Sequence, residues 1–183
     1  MPTDEQRAAM QGAWRFRGGQ RPPFALEPDA GQESVWDYPR PPVLELCNKR
    51  VVVRLADQVV ANTTRAQRLL ETASPPTFYL PAEDVDGSVL EPARGGSFCE
   101  WKGRARYWDV VLGTRRIERA AWDYPEAGGA YAAIAGYVAF YPNQLDCTVG
   151  GDAVTAQSGG FYGGWVTNHV VGPFKGDAGT GGW

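Results

Sequence analysis

The stretch that decides the fold is VLELCNKRVVVRLADQVVA, residues 43–61, in which three short runs of β-branched and aliphatic residues are separated by polar turns. The runs occupy residues 43–47, 51–55 and 58–61. Short apolar runs bounded by turn residues are typical of strands joined by tight connections. The stretch therefore predicts three consecutive strands.

Further strands are expected after this stretch, because similar runs return several times. They lie at residues 77–80, 107–112, 116–117, 120–122, 136–141 and 145–149. A content of 23 Gly, 14 Pro and 7 Trp also favours short strands and tight loops over a helical bundle. The sequence predicts a mainly β, or α+β, domain of about eight short strands.

A few short helices are predicted beside the strands. Residues 4–14 are expected to form one, and the Ala-rich residues 128–134 one or two helical turns. Asn62 or Thr63 is expected to cap a further helix through residues 65–70, since both residue types are favoured at helix starts. The Ser-Pro-Pro sequence that follows is expected to end it.

The chain divides into three regions, of which residues 42–157 are predicted to form a single core domain. Residues 1–41 are expected to hold the first helix and an irregular arm. Residues 158–183 form a tail in which glycines alternate with aromatic residues. Because disordered tails are usually poor in aromatic residues, this tail is expected to pack on the core or on a partner subunit. Packing on a partner subunit would give a homodimer. A mobile tail is the alternative.

Charge and hydropathy limit the partners that the chain is expected to have. Its formal net charge is −3 and its isoelectric point is near 5.2, so neither nucleic acid nor an anionic membrane is expected to bind. No apolar run approaches the ~20 residues that span a bilayer. The acidic N-terminal residues lack the apolar segment of a secretory signal, and a cytoplasmic location is therefore expected.

The cysteines and the histidine set limits on disulfides and metals. Cys47, Cys99 and Cys147 are far apart and odd in number, which argues against a disulfide framework. The chain has no CxxC motif and one histidine, His169, so Cys and His alone do not supply the roughly four ligands of a structural zinc site. The sequence indicates neither a metal nor another cofactor.

Four stretches join aromatic or small residues to one ionisable group near the predicted end of an element, which is how ligand pockets are commonly lined. They are residues 69–72, 78–81, 98–103 and 121–125. The chain has neither the GxxxxGK[ST] nor the GxGxxG motif, so nucleotide binding through either loop is not predicted.

Cys99 and Lys102 are close enough in sequence to meet across a turn. A neighbouring ammonium favours the thiolate, which is the nucleophilic form of cysteine. However, the only histidine able to assist, His169, lies in the tail, so a small buried Cys99 is favoured over a catalytic one. Glu71 is expected at the end of a helix, either as a solvated carboxylate or as a pocket group that pairs with Lys102 or accepts a hydrogen bond from a ligand.

As an ordered set, these segments resemble the domain-of-unknown-function family numbered four hundred and twenty-seven. The resemblance covers about residues 43–150 and is carried by Val59-Val60-Ala61, Leu70-Glu71-Thr72, Tyr79-Leu80-Pro81, Asp84-Val85, Cys99-Glu100-Trp101-Lys102-Gly103, Ala105, Tyr107, Ala121-Trp122-Asp123-Tyr124-Pro125 and Gly136-Tyr137-Val138-Ala139-Phe140-Tyr141. It implies a compact β-tent-like fold. It also implies a pocket lined by Glu71, Tyr79, Cys99, Lys102, Tyr107, Trp122 and Tyr124.

The resemblance carries over no metal and no reaction. Other β-tent proteins, such as methionine-sulfoxide reductase B and the thalidomide-binding domain of cereblon, usually hold zinc with two CxxC pairs, which this sequence lacks. The nucleotidyltransferase label sometimes attached to the family requires clustered carboxylates, and the sequence shows none. Glu100 stands where many members have proline, which is expected to alter the turn that holds Lys102.

Three functions are compatible with these residues. The first is the binding of an unknown small molecule by aromatic walls, with Glu71 and Lys102 fixing its polar groups. The second is an enzyme that uses the Cys99 thiolate, or the Glu71 and Lys102 side chains as acid and base. The third is a structural or interaction module in which the aromatic residues are core and the tail clamps another subunit.

Overall fold

The computed structural model describes residues 2–183, and strands dominate it, as the sequence predicts. The α-helix α1 spans Asp4–Gly12 and begins at a capping box formed by Thr3 and Gln6. Three 3-10 helices follow at Ala82–Asp84, Gly87–Val89 and Gly129–Ile134. The predicted helices at residues 4–14 and 128–134 are thus confirmed, the second as a 3-10 helix.

Fifteen strands, many of them short, are numbered here in chain order. They are β1 (Glu33–Ser34), β2 (Val43–Cys47), β3 (Val51–Leu55), β4 (Gln58–Thr63), β5 (Ala66–Glu71), β6 (Ser74–Tyr79), β7 (Leu90–Cys99), β8 (Gly103–Leu112), β9 (Arg115–Asp123), β10 (Val138–Phe140), β11 (Asp146–Val149), β12 (Asp152–Ala153), β13 (Thr155–Ala156), β14 (Trp165–Val166) and β15 (Val170–Val171).

Three sheets form most of the fold. Strands β12-β11-β3-β4 and β10-β9-β8-β7 make two four-stranded sheets, and β2-β5-β6 makes a three-stranded sheet. A backbone bridge between Leu80 and Val138 joins the end of β6 to β10, which links the second and third of these sheets. In the part of the chain that the structure describes, none of the sheets closes into a barrel.

The helix predicted through residues 65–70 is wrong, because residues 66–70 belong to β5 in the middle of the three-stranded sheet. Leu69 and Leu70 are both buried, but in two different hydrophobic clusters on opposite sides of the strand. Two adjacent apolar residues therefore serve the two faces of a strand rather than one face of a helix. Pro75 and Pro76 do not end a helix; they lie in β6, beside an irregularity in its pairing with β5, and such irregularities are where strands accommodate proline.

Both ends of the chain lie against the sheets. Strand β1 pairs in parallel with β15, and the buried Trp36 next to β1 packs edge-on against Trp183. Trp165 of the tail is fully buried in the main core cluster. No helix among residues 2–183 is long and apolar enough to cross a membrane.

Candidate functional site

One cavity of about 460 Å³ brings together the residues proposed from the sequence. All seven line it: Glu71, Tyr79, Cys99, Lys102, Tyr107, Trp122 and Tyr124. They come from the ends of β5, β6 and β7, from the turn between β7 and β8, from the paired strands β8 and β9, and from the residue that follows β9. Tyr107 and Trp122 are direct cross-strand partners, which explains why they share one face.

Aromatic rings form the floor of this cavity. The ring centroids of Tyr79 lie 6.4 Å from Trp122 and 6.3 Å from Tyr124, and Trp122 lies 4.4 Å from Tyr141. Burial raises the pKa of Tyr79 to about 12, so its hydroxyl is neutral at physiological pH. The Tyr107 hydroxyl hydrogen-bonds the Ser97 Oγ at 2.9 Å. The ring faces therefore make the floor apolar, and the tyrosine hydroxyl groups lie at the edges of the rings.

Lys102 is the charged group that this floor surrounds. Its residue is only 7% exposed, and its Nζ lies 5.3 Å from the centroid of the Tyr124 ring. Burial disfavours the ammonium, yet the charges of Cys99, Tyr79, Tyr124 and Glu71 together raise the pKa of Lys102 above its usual range. No carboxylate of residues 2–183 forms an ion pair with it. The cavity thus contains a cation without a counterion.

Glu71 does not pair with Lys102, which corrects one of the two pocket roles considered for it. Its Oε1 accepts a hydrogen bond of 3.0 Å from the Arg40 Nε, and the Arg40 side chain is completely buried. The same guanidinium donates to the backbone oxygens of Phe16, Thr72 and Trp183. Arg40, rather than Lys102, is therefore the ion-pair partner of Glu71.

The structure separates Cys99 from the histidine. Cys99, the last residue of β7, is half-buried on the cavity wall. His169 lines a second cavity of about 260 Å³, and its Nε2 lies 2.8 Å from the Asp152 Oδ2. A Cys99–His169 relay is thus absent from residues 2–183, in line with the sequence-based preference against it.

Part of the cavity wall comes from the arm and the tail, which sequence reasoning had not assigned to the site. Trp14 donates its indole N–H to the Glu100 Oε1 at 2.8 Å, and Gln11 donates to the Glu100 backbone oxygen at 2.9 Å. From the tail, Lys175 places its Nζ 3.4 Å from the centroid of the Trp14 ring. The scarcity of lysine in the chain was the signal that could have identified Lys175.

Replacing Gly163 by alanine is expected to destabilise the protein by about 1–3 kcal/mol, as overpacked sites do. A Cβ at this position would lie 2.0 Å from the Cη2 of Trp122, which forces the indole to move within the cavity. Chemical denaturation followed by tryptophan fluorescence measures the change. Gly181→Ala is the matched control, because no atom lies within 4 Å of its Cβ position. Equal stability of the two variants would contradict the packing described for Trp122.

The sequence matches a protein-family model. A family model described as a domain of unknown function, DUF427, matches residues 43–151, which is more than half of the chain and agrees with the resemblance seen in the sequence. No curated protein matches the chain. Among residues 2–183, no group of three or more His, Cys, Asp or Glu side chains is placed to hold a metal ion.

Proposed function

The chain belongs to the domain-of-unknown-function family DUF427, and we propose that its role is to bind a small organic anion that carries a planar ring. The carboxylate or phosphate of this ligand lies at Lys102, and its ring lies against Tyr79, Trp122 and Tyr124. The observation that carries the proposal is the buried Lys102 ammonium, which has no counterion and lines a cavity.

A buried, unpaired charge is costly, and proteins normally compensate it with a partner of opposite charge. Within residues 2–183, Lys102 forms no ion pair, and its ammonium lies over the face of the Tyr124 ring. A cation above an aromatic ring gains roughly 0.5–2 kcal/mol, which is less than a charge-assisted hydrogen bond to a desolvated anion can add. An anionic ligand would therefore provide the negative charge that pairs with the Lys102 ammonium.

The remaining walls define the body of the ligand. Ligand pockets of about 300–1,000 Å³ are typically apolar with a few converging polar groups, and a volume of about 460 Å³ falls in this range. Ring faces favour a planar, unsaturated ligand, because aromatic pairs gain about 0.5–1.5 kcal/mol beyond their buried area. The proposed ligand class thus combines one anionic group with one ring.

Lys102→Met is expected to weaken the binding of benzoate and phenyl phosphate by about 10- to 100-fold, which corresponds to the ~1.5–3 kcal/mol of a hydrogen bond to a charged group. Thermal unfolding and calorimetric titration measure the affinity, with neutral benzamide as the comparison ligand. Lys49→Met is the matched control, because it removes the same charge from an exposed lysine outside this cavity. Unchanged affinity in Lys102→Met, or equal binding of benzamide, would overturn the proposal.

A further inference from the structure

Lysine is scarce in this chain, and its positions are informative. Only three of the 18 basic residues are lysines: Lys49, Lys102 and Lys175. Lys49 is exposed, whereas the other two are buried and line the same cavity. Arginine holds every other basic position, and a guanidinium stays protonated in proteins, whereas an amine can lose its proton. The cavity therefore contains both of the buried lysines.

The tail holds Lys175 in a fixed position. Its backbone N–H donates to the Ala73 oxygen at 2.7 Å, and its own oxygen accepts a 2.7 Å hydrogen bond from the Gln157 Nε2. Its side chain extends between two rings, with the Nζ 3.4 Å from the centroid of Trp14 and 5.0 Å from that of Tyr162. The residue is 2% exposed, and no carboxylate of the described chain forms an ion pair with it. The amine is thus positioned but not neutralised.

The two cavity lysines differ in the direction in which their pKa is shifted. The pKa of Lys175 is lowered from 10.5 to about 8, chiefly by burial; the Arg40 guanidinium also lowers it, whereas the Glu71 and Glu100 carboxylates raise it. The pKa of Lys102 is instead raised above its usual range. At pH 7, about one Lys175 amine in ten is therefore neutral, while Lys102 remains protonated. When the pKa values of two similar groups differ in this way, an enzyme can use one group in its charged form and the other in its neutral form.

We infer that Lys175 is a nucleophile that forms an imine with a carbonyl carbon of the anionic ligand held at Lys102. This inference rests on the proposed function and names its substrate class, an anion that carries an aldehyde or ketone. The nitrogen lone pair of Lys175 attacks the carbonyl carbon, and a proton passes from the nitrogen to the oxygen to give a carbinolamine. Loss of the hydroxyl group as water then forms the C=N bond. One amine and one carbonyl give one imine and one water, with no oxidant or reductant.

The test uses 4-formylbenzoate, which carries a ring, a carboxylate and an aldehyde, with sodium cyanoborohydride to reduce any imine to a stable amine. Peptide mapping of the full-length protein is expected to place the adduct on Lys175, at least tenfold faster than on the exposed Lys49 at pH 7. The rate at Lys175 is expected to level off as the pH rises above about 8, because most of this amine is then already neutral. Lys175→Arg is expected to abolish this adduct, and Lys102→Met to slow it severalfold.

A second probe separates this inference from the proposed function. The alcohol 4-(hydroxymethyl)benzoate has the same ring and carboxylate but forms no imine. Stabilisation by this alcohol without any adduct on Lys175 would overturn the nucleophile and leave the binding function standing. An adduct on Lys49 or Lys102 as fast as on Lys175 would overturn the assignment as well. Because the wild-type peptide map decides the site, the test does not depend on how well the variants fold.

Discussion

Arg40→Met is expected to lower the free energy of unfolding by about 3–5 kcal/mol, the range found when one partner of a buried ion pair is removed. The substitution leaves the Glu71 carboxylate without its cation on the cavity wall. It also leaves the Phe16, Thr72 and Trp183 oxygens without the guanidinium that they share. Since these oxygens belong to the arm, the turn between β5 and β6, and the tail, the loss of the three hydrogen bonds is expected to loosen all three segments together. Urea denaturation of the purified variant measures the change.

Two further variants test whether the charge network is the cause. Arg104→Met removes an exposed arginine and is expected to change stability by less than about 0.5 kcal/mol. Arg40→Met combined with Glu71→Gln is expected to be more stable than Arg40→Met alone, because the unpaired carboxylate is then also removed. A single Arg40 variant as stable as Arg104→Met would show that Arg40 does not connect the three regions.

The strands that the sequence predicted best are those with several β-branched residues between clear turns. Residues 51–55 form β3 as expected, since three consecutive valines strongly favour a strand. Residues 65–70 were assigned wrongly because Leu, Gln and Arg are good helix formers, and local preference alone points to a helix. Pairing with β2 on one side and β6 on the other decides the outcome for β5, and neither partner is visible in a local window.

Most of the candidate site could be predicted because the resemblance to the family implies its residues, all of which lie in the family core. Seven residues were proposed, and the structure places all of them on one cavity. The contributions of Trp14 and Lys175 could not be predicted, because they depend on how the arm and the tail cross the core. The same holds for the partner of Glu71, since Arg40 is distant in sequence and its pairing requires the folded arm. Binding itself and any role of Cys99 in catalysis stay predictions.

Trp165→Ala is expected to destabilise the protein by about 3–5 kcal/mol, as large-to-small changes of buried tryptophan do. Trp165 is fully buried in the main core, where its ring centroid lies 5.1 Å from that of Phe78. Its indole N–H also donates to the Phe140 oxygen at 2.9 Å, so the substitution removes a buried hydrogen bond and creates a cavity. Denaturation monitored by circular dichroism measures the loss.

Phe161→Ala is the matched control, because this aromatic residue belongs to the same tail but is 64% exposed. It is expected to change stability by less than about 0.5 kcal/mol. The homodimer expected from the tail stays a prediction, and the two variants test it when mass in solution is measured beside stability. If the tail binds a second copy of the chain, Phe161→Ala is expected to convert the dimer to a monomer, because Phe161 is exposed. Trp165 packs in the core of its own chain and is not free to contact a second copy. Equal stability of the two variants would show that Trp165 does not anchor the tail to the core.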